Sequence, residues 1–276
     1  MTKATIFRYS NYIAEMSAIC LLALVLTLYR KTKKEKVMKT VIQKAADRGS
    51  ANHGWLKANY YFSFSGYNNP EKVHFGLLRV LNDDHIAGGG AFPTHPHDNM
   101  EIVTIPFTGA IHHKDSTGGE GVIKSGDVQI MSAGSGVRHS ESNDSATEPI
   151  NLFQLWVYPK VRNITPRYDQ RTFSLEDRIN KWQFVVSPNE ADGGLWINQD
   201  ARFALTKVEA GKEITYTNAF KGNGVYLVVI KGTVKVDGNE LNTRDAIGVS
   251  ETDTFTITAS EDAELLAVEV PMDFND

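Results

Sequence analysis

One pattern of short β-type runs occurs twice in this 276-residue chain, and any fold must accommodate both copies. Phe75-Gly76-Leu77-Leu78-Arg79-Val80 returns as Phe203-Ala204-Leu205-Thr206-Lys207-Val208. The turn Thr108-Gly109 returns as Lys231-Gly232, and Ser125-Gly126-Asp127-Val128 as Thr243-Arg244-Asp245-Ala246. Leu152–Pro159 is answered by Leu265–Pro271. The runs, among them Glu101–Phe107, Gly126–Met131, Tyr226–Ile230 and Thr233–Val236, are rich in Val, Ile, Phe, Tyr and Thr. Gly, Asn-Asp and Asp-Gly turns bound them, as strands require. Helical patterning is scarce, with Ser174–Lys181 the best short candidate. A period of well over one hundred residues excludes rods of small stacked repeats. The expectation is an all-β protein of two antiparallel β-barrels that share one topology and pack together.

The two copies differ in chemistry. All eight histidines lie at or before position 139. The second copy has Glu213-Ile214-Thr215-Tyr216-Thr217 where the first has His95-Pro96-His97. His95/His97 and His139/Glu141 are both i, i+2 pairs, and in a strand such residues share a face. Each pair can therefore aim two donors into one cavity. Three imidazoles and a carboxylate make a ligand set for one transition metal with positions left open. They suit divalent iron, and also nickel, copper, manganese or zinc, and affinity alone does not choose among these. Fe(II) is the expectation. A lone His-x-His is more often a surface pair, but here it lies in the run from Gly89 to Glu101, and Gly126, Gly134 and His139 follow. The second copy is expected to hold no metal ligands, to pack against the first and to help shape its pocket mouth.

A net charge of −4 and a pI near 6.1 leave no basic footprint for direct nucleic-acid binding. The one cysteine, Cys20, precedes the β pattern, so disulfides, zinc-thiolate sites and a cysteine nucleophile are not expected in the fold. Residues 16–29 are strongly apolar and are followed at once by Arg30, Lys31, Lys33, Lys34 and Lys36. The run is short for a spanning helix, and its charges follow it rather than precede it as in a signal peptide. Residues 1–37 are read as an upstream extension dispensable for folding, with a membrane anchor through residues 13–29 as the other reading. Either leaves the rest in the cytoplasm. Met38 opens the β pattern, which divides into 38–163, with the metal ligands, and 164–276, without them.

The chain resembles the pirin family, bicupins whose N-terminal domain holds a metal, across residues 38–276. Ala51-Asn52-His53-Gly54-Trp55-Leu56, Leu78–Asp84, Thr94-His95-Pro96-His97-Asp98-Asn99-Met100-Glu101, Gly126–Gly134, His139-Ser140-Glu141 and Ile164-Thr165-Pro166-Arg167-Tyr168 carry the resemblance. It is most similar to the shorter bacterial members with quercetin 2,3-dioxygenase activity. The resemblance implies that His95, His97, His139 and Glu141 are the metal ligands. Ser132 stands where the general cupin pattern has a proline, and Glu101 is the competing carboxylate; Glu141 is preferred because it shares a strand face with His139.

Of the remaining histidines, His112 and His113 face opposite sides of a strand, so both cannot ligate one ion; both are read as structural. His74 and His85 are read as solvent-facing, and Asp83-Asp84 as a turn or capping pair. The resemblance implies an oxidoreductase that opens a flavonol such as quercetin with dioxygen and releases carbon monoxide, with Glu141 as base. The alternative is a non-enzymatic, metal-dependent redox sensor that binds a protein partner.

Overall fold

The computed structural model describes residues 38–274. The apolar run, Cys20 and the expectations for residues 1–37 lie outside the described residues. Among the described residues, no helix is long and apolar enough to cross a membrane.

The first half of the chain contains β1 (Lys39–Gln43), β2 (Gly49–Asn52), β3 (Leu56–Tyr60), β4 (Leu78–Ile86), β5 (Ala91–His97) and β6 (Glu101–Thr108). It continues with β7 (Ala110–Asp115), β8 (Glu120–Lys124), β9 (Asp127–Ser132), β10 (Val137–Asn143) and β11 (Ile150–Val157). Then come β12 (Arg167–Thr172), β13 (Gln183–Val186), β14 (Arg202–Val208), β15 (Glu213–Thr217) and β16 (Asn223–Lys231). The last five are β17 (Thr233–Val236), β18 (Asn239–Asn242), β19 (Ala246–Ser250), β20 (Thr254–Ala259) and β21 (Ala263–Pro271). The helical candidate near Ser174 is a single 3₁₀ turn, Leu175–Arg178, capped by the Ser174 hydroxyl.

These strands form four sheets. A large sheet runs β12-β9-β6-β11-β4-β3-β2 and faces a small one, β5-β10-β7-β8. The second pair runs β1-β19-β16-β21-β14-β13 and β15-β20-β17-β18. The two orders match strand for strand over six positions, so the sequence repeat is a repeat of topology. The sheets are antiparallel and cupin-like, but they stay open as facing pairs and do not close into the barrels expected from sequence. Edge strands cross between the halves. β1, from the start of the chain, pairs with β19 in the second large sheet, and β12 pairs with β9 in the first. Each fills the same edge position in the other half's architecture.

The turns keep the repeat to atomic detail. Asp127 Oδ2 accepts from Lys124 N at 3.0 Å, and Asp245 Oδ2 accepts from Asn242 N at 3.0 Å. The residue before each aspartate has positive φ, +94° at Gly126 and +69° at Arg244. The second copy thus tolerates a strained arginine where the first uses glycine. That arginine is engaged: its Nη2 donates to Asn151 Oδ1 at 2.7 Å, its Nε lies 3.5 Å from Asp83 Oδ2, and its carbonyl accepts from the Tyr61 hydroxyl at 2.8 Å.

The large sheets pack face to face, and their shared core includes Val103, Ile130, Phe153, Leu155, Leu205, Val228 and Leu266. Strand alternation then decides what faces the other way. On β11, Phe153, Leu155 and Val157 join the shared core, while Gln154 and Trp156 face the small sheet of the first half. On β4, Leu81 joins the shared core and Asn82 and Asp84 face the small sheet. In the second half the corresponding interior is filled. Ile214 and Tyr216 on β15, paired with Ile257 and Phe255 on β20, pack with Val225, Leu227 and Ala267.

Candidate metal centre

A cavity of about 310 Å³ lies between the large and small sheets of the first half. All of its lining residues fall between Leu56 and Trp156, so the second half does not shape it as expected. Leu56, Tyr60, Phe64, Phe92 and Trp156 give it apolar walls, and the polar groups are on β4, β5, β10 and β11.

Strand pairing brings the histidines together. β10 and β5 are antiparallel neighbours, with His139 opposite His95 and Val137 opposite His97. His139 Nε2 lies 3.0 Å from His95 Nε2, and both rings stand 4.9 Å, centroid to centroid, from that of His97. One nitrogen from each of the three fits within a 4.8 Å cluster. The register slips between His139 and Glu141, so Glu141 comes opposite Phe92 rather than Pro93. This bulge leaves His139 and Glu141 on one face of β10 while the extra residue is absorbed in β5.

Hydrogen bonds assign the ring nitrogens. His95 Nδ1 donates to the Pro93 carbonyl at 2.8 Å, which leaves its Nε2 as a lone pair. His113 Nε2 lies 3.2 Å from Asp115 Oδ2, and His113 Nδ1 lies 3.3 Å from His139 Nδ1. Burial opposes a low pKa for Asp115, but bonds from Thr117, His113 and Gly119 hold it below the usual carboxylate value. A charged Asp115 accepts from His113 Nε2–H. The neutral His113 then offers Nδ1 as acceptor to His139 Nδ1–H, and His139 Nε2 is left as a lone pair. Two lone pairs thus face each other at 3.0 Å, an arrangement that a cation between them relieves.

Charge states agree. Burial, with the neighbouring His95, pushes the His97 imidazole down to about 4. Burial, with His95, His113 and His97, pushes His139 down to about 3. Both are neutral donors at physiological pH. Trp156 packs edge-on against His97 at 4.9 Å between centroids and limits that ring's rotation. Imidazoles held neutral by burial, as His97 and His139 are, fit a divalent transition metal.

The structure brings together three of the four residues expected as ligands in one cluster. Glu141 falls in an adjoining one, with His139 and His113, whose donor atoms also fit within 4.8 Å. Its carboxyl is buried, and burial raises it to about 7. Gln154 Nε2 donates to both Glu141 oxygens, at 3.1 and 3.3 Å. The Thr104 hydroxyl donates to Gln154 Oε1 at 2.9 Å and sets the amide's orientation. Glu101 does not line the cavity. Its Oε2 accepts from the Ser132 hydroxyl at 2.8 Å and from Asn198 N–H at 3.1 Å.

Several residues outrun the sequence reading. His113 is buried beside His139, whereas His112 points outward and pairs with Glu120 at 3.3 Å. Asp83 and Asp84, read as a turn, lie inside β4 and are both buried. The available signal was a pair of carboxylates inside an apolar run, and for Gln154 a lone amide inside Leu152–Val157. Both patterns mark polar side chains forced into an interior.

A pirin family model matches residues 41–157, and a model described as the quercetinase C-terminal cupin domain matches residues 184–270. A protein named quercetin 2,3-dioxygenase from Escherichia coli K12 is 41% identical over 233 residues, covering 83% of this chain and 98% of its own. A pirin-like protein from Caulobacter vibrioides is 44% identical, covering 80% of this chain and 95% of its own. The crystal structure of the bacterial pirin YhhW from Escherichia coli, in complex with nickel(II), superposes with a TM-score of 0.80. It is 38% identical, and the match covers 84% of this chain and 99% of that one. On its duplicated cupin-like fold and on these matches across both halves, the chain belongs to the pirin family.

Proposed function

We propose that this protein is a metal-dependent dioxygenase that opens a flavonol such as quercetin across its 2,3-bond and releases carbon monoxide. His95, His97, His139 and Glu141 are its metal ligands in this reading, with Glu141 also the base. One observation carries the proposal: three imidazoles, of which His97 and His139 are held neutral by burial, and a buried carboxyl raised to about 7 converge on one aromatic-walled cavity. The relative named quercetin 2,3-dioxygenase supports the choice of substrate. A divalent metal held there, Fe(II) in our reading, would supply Lewis acidity at the flavonol 3-hydroxyl and redox capacity toward dioxygen.

The chain's own groups do the rest. Phe64, Phe92 and Trp156 offer faces and edges to a planar aromatic substrate and keep water out. Glu141, which burial raises to about 7, is matched to take a proton from a hydroxyl and return it at neutral pH once it shifts off the metal on arrival of substrate. Gln154 contacts both carboxylate oxygens, so the base keeps a partner whichever oxygen carries the proton.

The test is anaerobic reconstitution with Fe(II), then oxygen uptake and carbon monoxide release on adding quercetin. Turnover that a chelator abolishes supports the reading. Stoichiometric iron without turnover sinks it.

A further inference from the structure

Asp84 has no protein partner. Its Oδ1 is buried without a hydrogen bond, and neither carboxyl oxygen accepts from any described residue. The side chain lines the same cavity as the imidazoles. Next to it in sequence, Asp83 shows what a satisfied carboxylate looks like here. It faces the other half, with Arg48 Nη1 at 2.9 Å, Arg244 Nε at 3.5 Å and Asn151 Nδ2 at 2.8 Å. Strand alternation puts Arg48 and Arg244 on Asp83's side, and Asp84 has no ion-pair partner among the described residues. Asn82, two residues earlier and on Asp84's face, also lines the cavity, and its buried Oδ1 lacks a partner.

Buried polar groups without partners are costly and rare in native interiors. Two of them on one strand, lining one cavity, are a hydrogen-bonding surface completed by something that enters. Both unmet atoms are oxygens, so the entering molecule supplies donors. The walls around them are aromatic and aliphatic, so the molecule is otherwise apolar.

We propose that Asp84, with Asn82 beside it, anchors a phenolic hydroxyl of the substrate remote from the hydroxyl presented to the metal centre. The site thereby selects polyhydroxylated aromatic substrates over less hydroxylated ones. The inference rests on the proposed oxygenase function and adds a specificity-determining subsite on β4. Burial, the neighbouring Asp83 and Glu141 raise the Asp84 carboxyl to about 8, in keeping with a group that meets a neutral hydroxyl rather than a cation.

The test compares quercetin with the parent flavonol, which carries the 3-hydroxyl alone, on Fe(II)-loaded wild type, Asp84→Leu and Asp84→Asn. In Asp84→Leu the ratio of kcat/KM for quercetin over the parent should fall roughly 10- to 100-fold, mostly through KM. Asp84→Asn retains an acceptor and should fall less; it also gives the readout should the leucine variant not fold. An unchanged ratio in an iron-replete variant overturns the proposal. Anaerobic fluorescence titration with the same two compounds separates this inference from the oxygenase reading. If wild type turns over neither flavonol yet binds quercetin more tightly, and Asp84→Leu erases that preference, the subsite stands and the oxygenase reading falls. Equal affinity of wild type for both compounds overturns the subsite.

Discussion

His139 and His113 meet nitrogen to nitrogen, Nδ1 to Nδ1 at 3.3 Å, and that contact places Asp115 at the far end of a chain leading to the candidate metal centre. It makes His113 a positioning residue, which fixes the tautomer of His139 without facing the cavity. Partners of metal-binding imidazoles typically change metal affinity by about 10- to 100-fold. His113→Phe keeps a ring against Tyr168, 4.8 Å away between centroids, and removes the acceptor. We expect a loss of affinity of that size in chelator competition, against near-complete loss of metal in His97→Ala. Equal losses would show His113 to be a ligand itself.

Glu141→Gln separates charge from shape. It should weaken metal binding and abolish flavonol oxidation even at saturating metal, because a neutral amide takes no proton at neutral pH. Glu101→Gln, whose carboxyl is committed to Ser132 and Asn198, should retain turnover. Wild-type rates in saturated Glu141→Gln would remove Glu141 as base. In a metal-loaded crystal the four donors should lie about 2.0–2.2 Å from the ion.

Glu101 also sets a pH dependence of stability. Burial raises its carboxyl to about 7 from 4.5, opposed by its bonds to Asn198 and Ser132 and by Arg167. The folded state therefore binds the proton more tightly than the unfolded one. Its contribution is fully present below about pH 4.5 and is lost as pH rises through about 7. In metal-stripped protein, denaturant midpoints for wild type should fall more between pH 5 and 8 than those of Glu101→Gln, by roughly 1–3 kcal/mol in stability. Parallel pH curves would refute this assignment.

Asp83 holds Arg48 and Arg244 between the two halves. Asp83→Ala leaves two arginines without the carboxylate they share and should destabilise by roughly 3–5 kcal/mol, read by equilibrium unfolding. A loss under about 1 kcal/mol would mean that solvent replaces the carboxylate.

Gly134 sits at φ +47° between β9 and β10, and a Cβ there would collide with the Ile164 carbonyl oxygen. Backbone cannot yield as a flexible side chain can. Gly134→Ala should shift the start of β10, lower stability by more than about 1 kcal/mol, and reduce metal content. Unchanged metal content with lowered stability would confine the strain to the turn.

The sequence by itself determined what strand periodicity controls. A backbone that alternates faces every residue put His95 with His97 and His139 with Glu141 before any partner strand was known. The repeat was legible for the same reason, since turns such as Gly126-Asp127 and Arg244-Asp245 carry local hydrogen bonds that leave a local signature. Tertiary structure decided everything set by long-range pairing. No local pattern says that β1 completes the second large sheet or that β12 completes the first. Nor does one say that the facing sheets stay open, or that His113 lands opposite Glu141 on the neighbouring strand. The fates of Asp83 and Asp84 diverged for the same reason. Alternation guaranteed that they face opposite ways, but only the packing of two large sheets set arginines against one and an apolar cavity against the other.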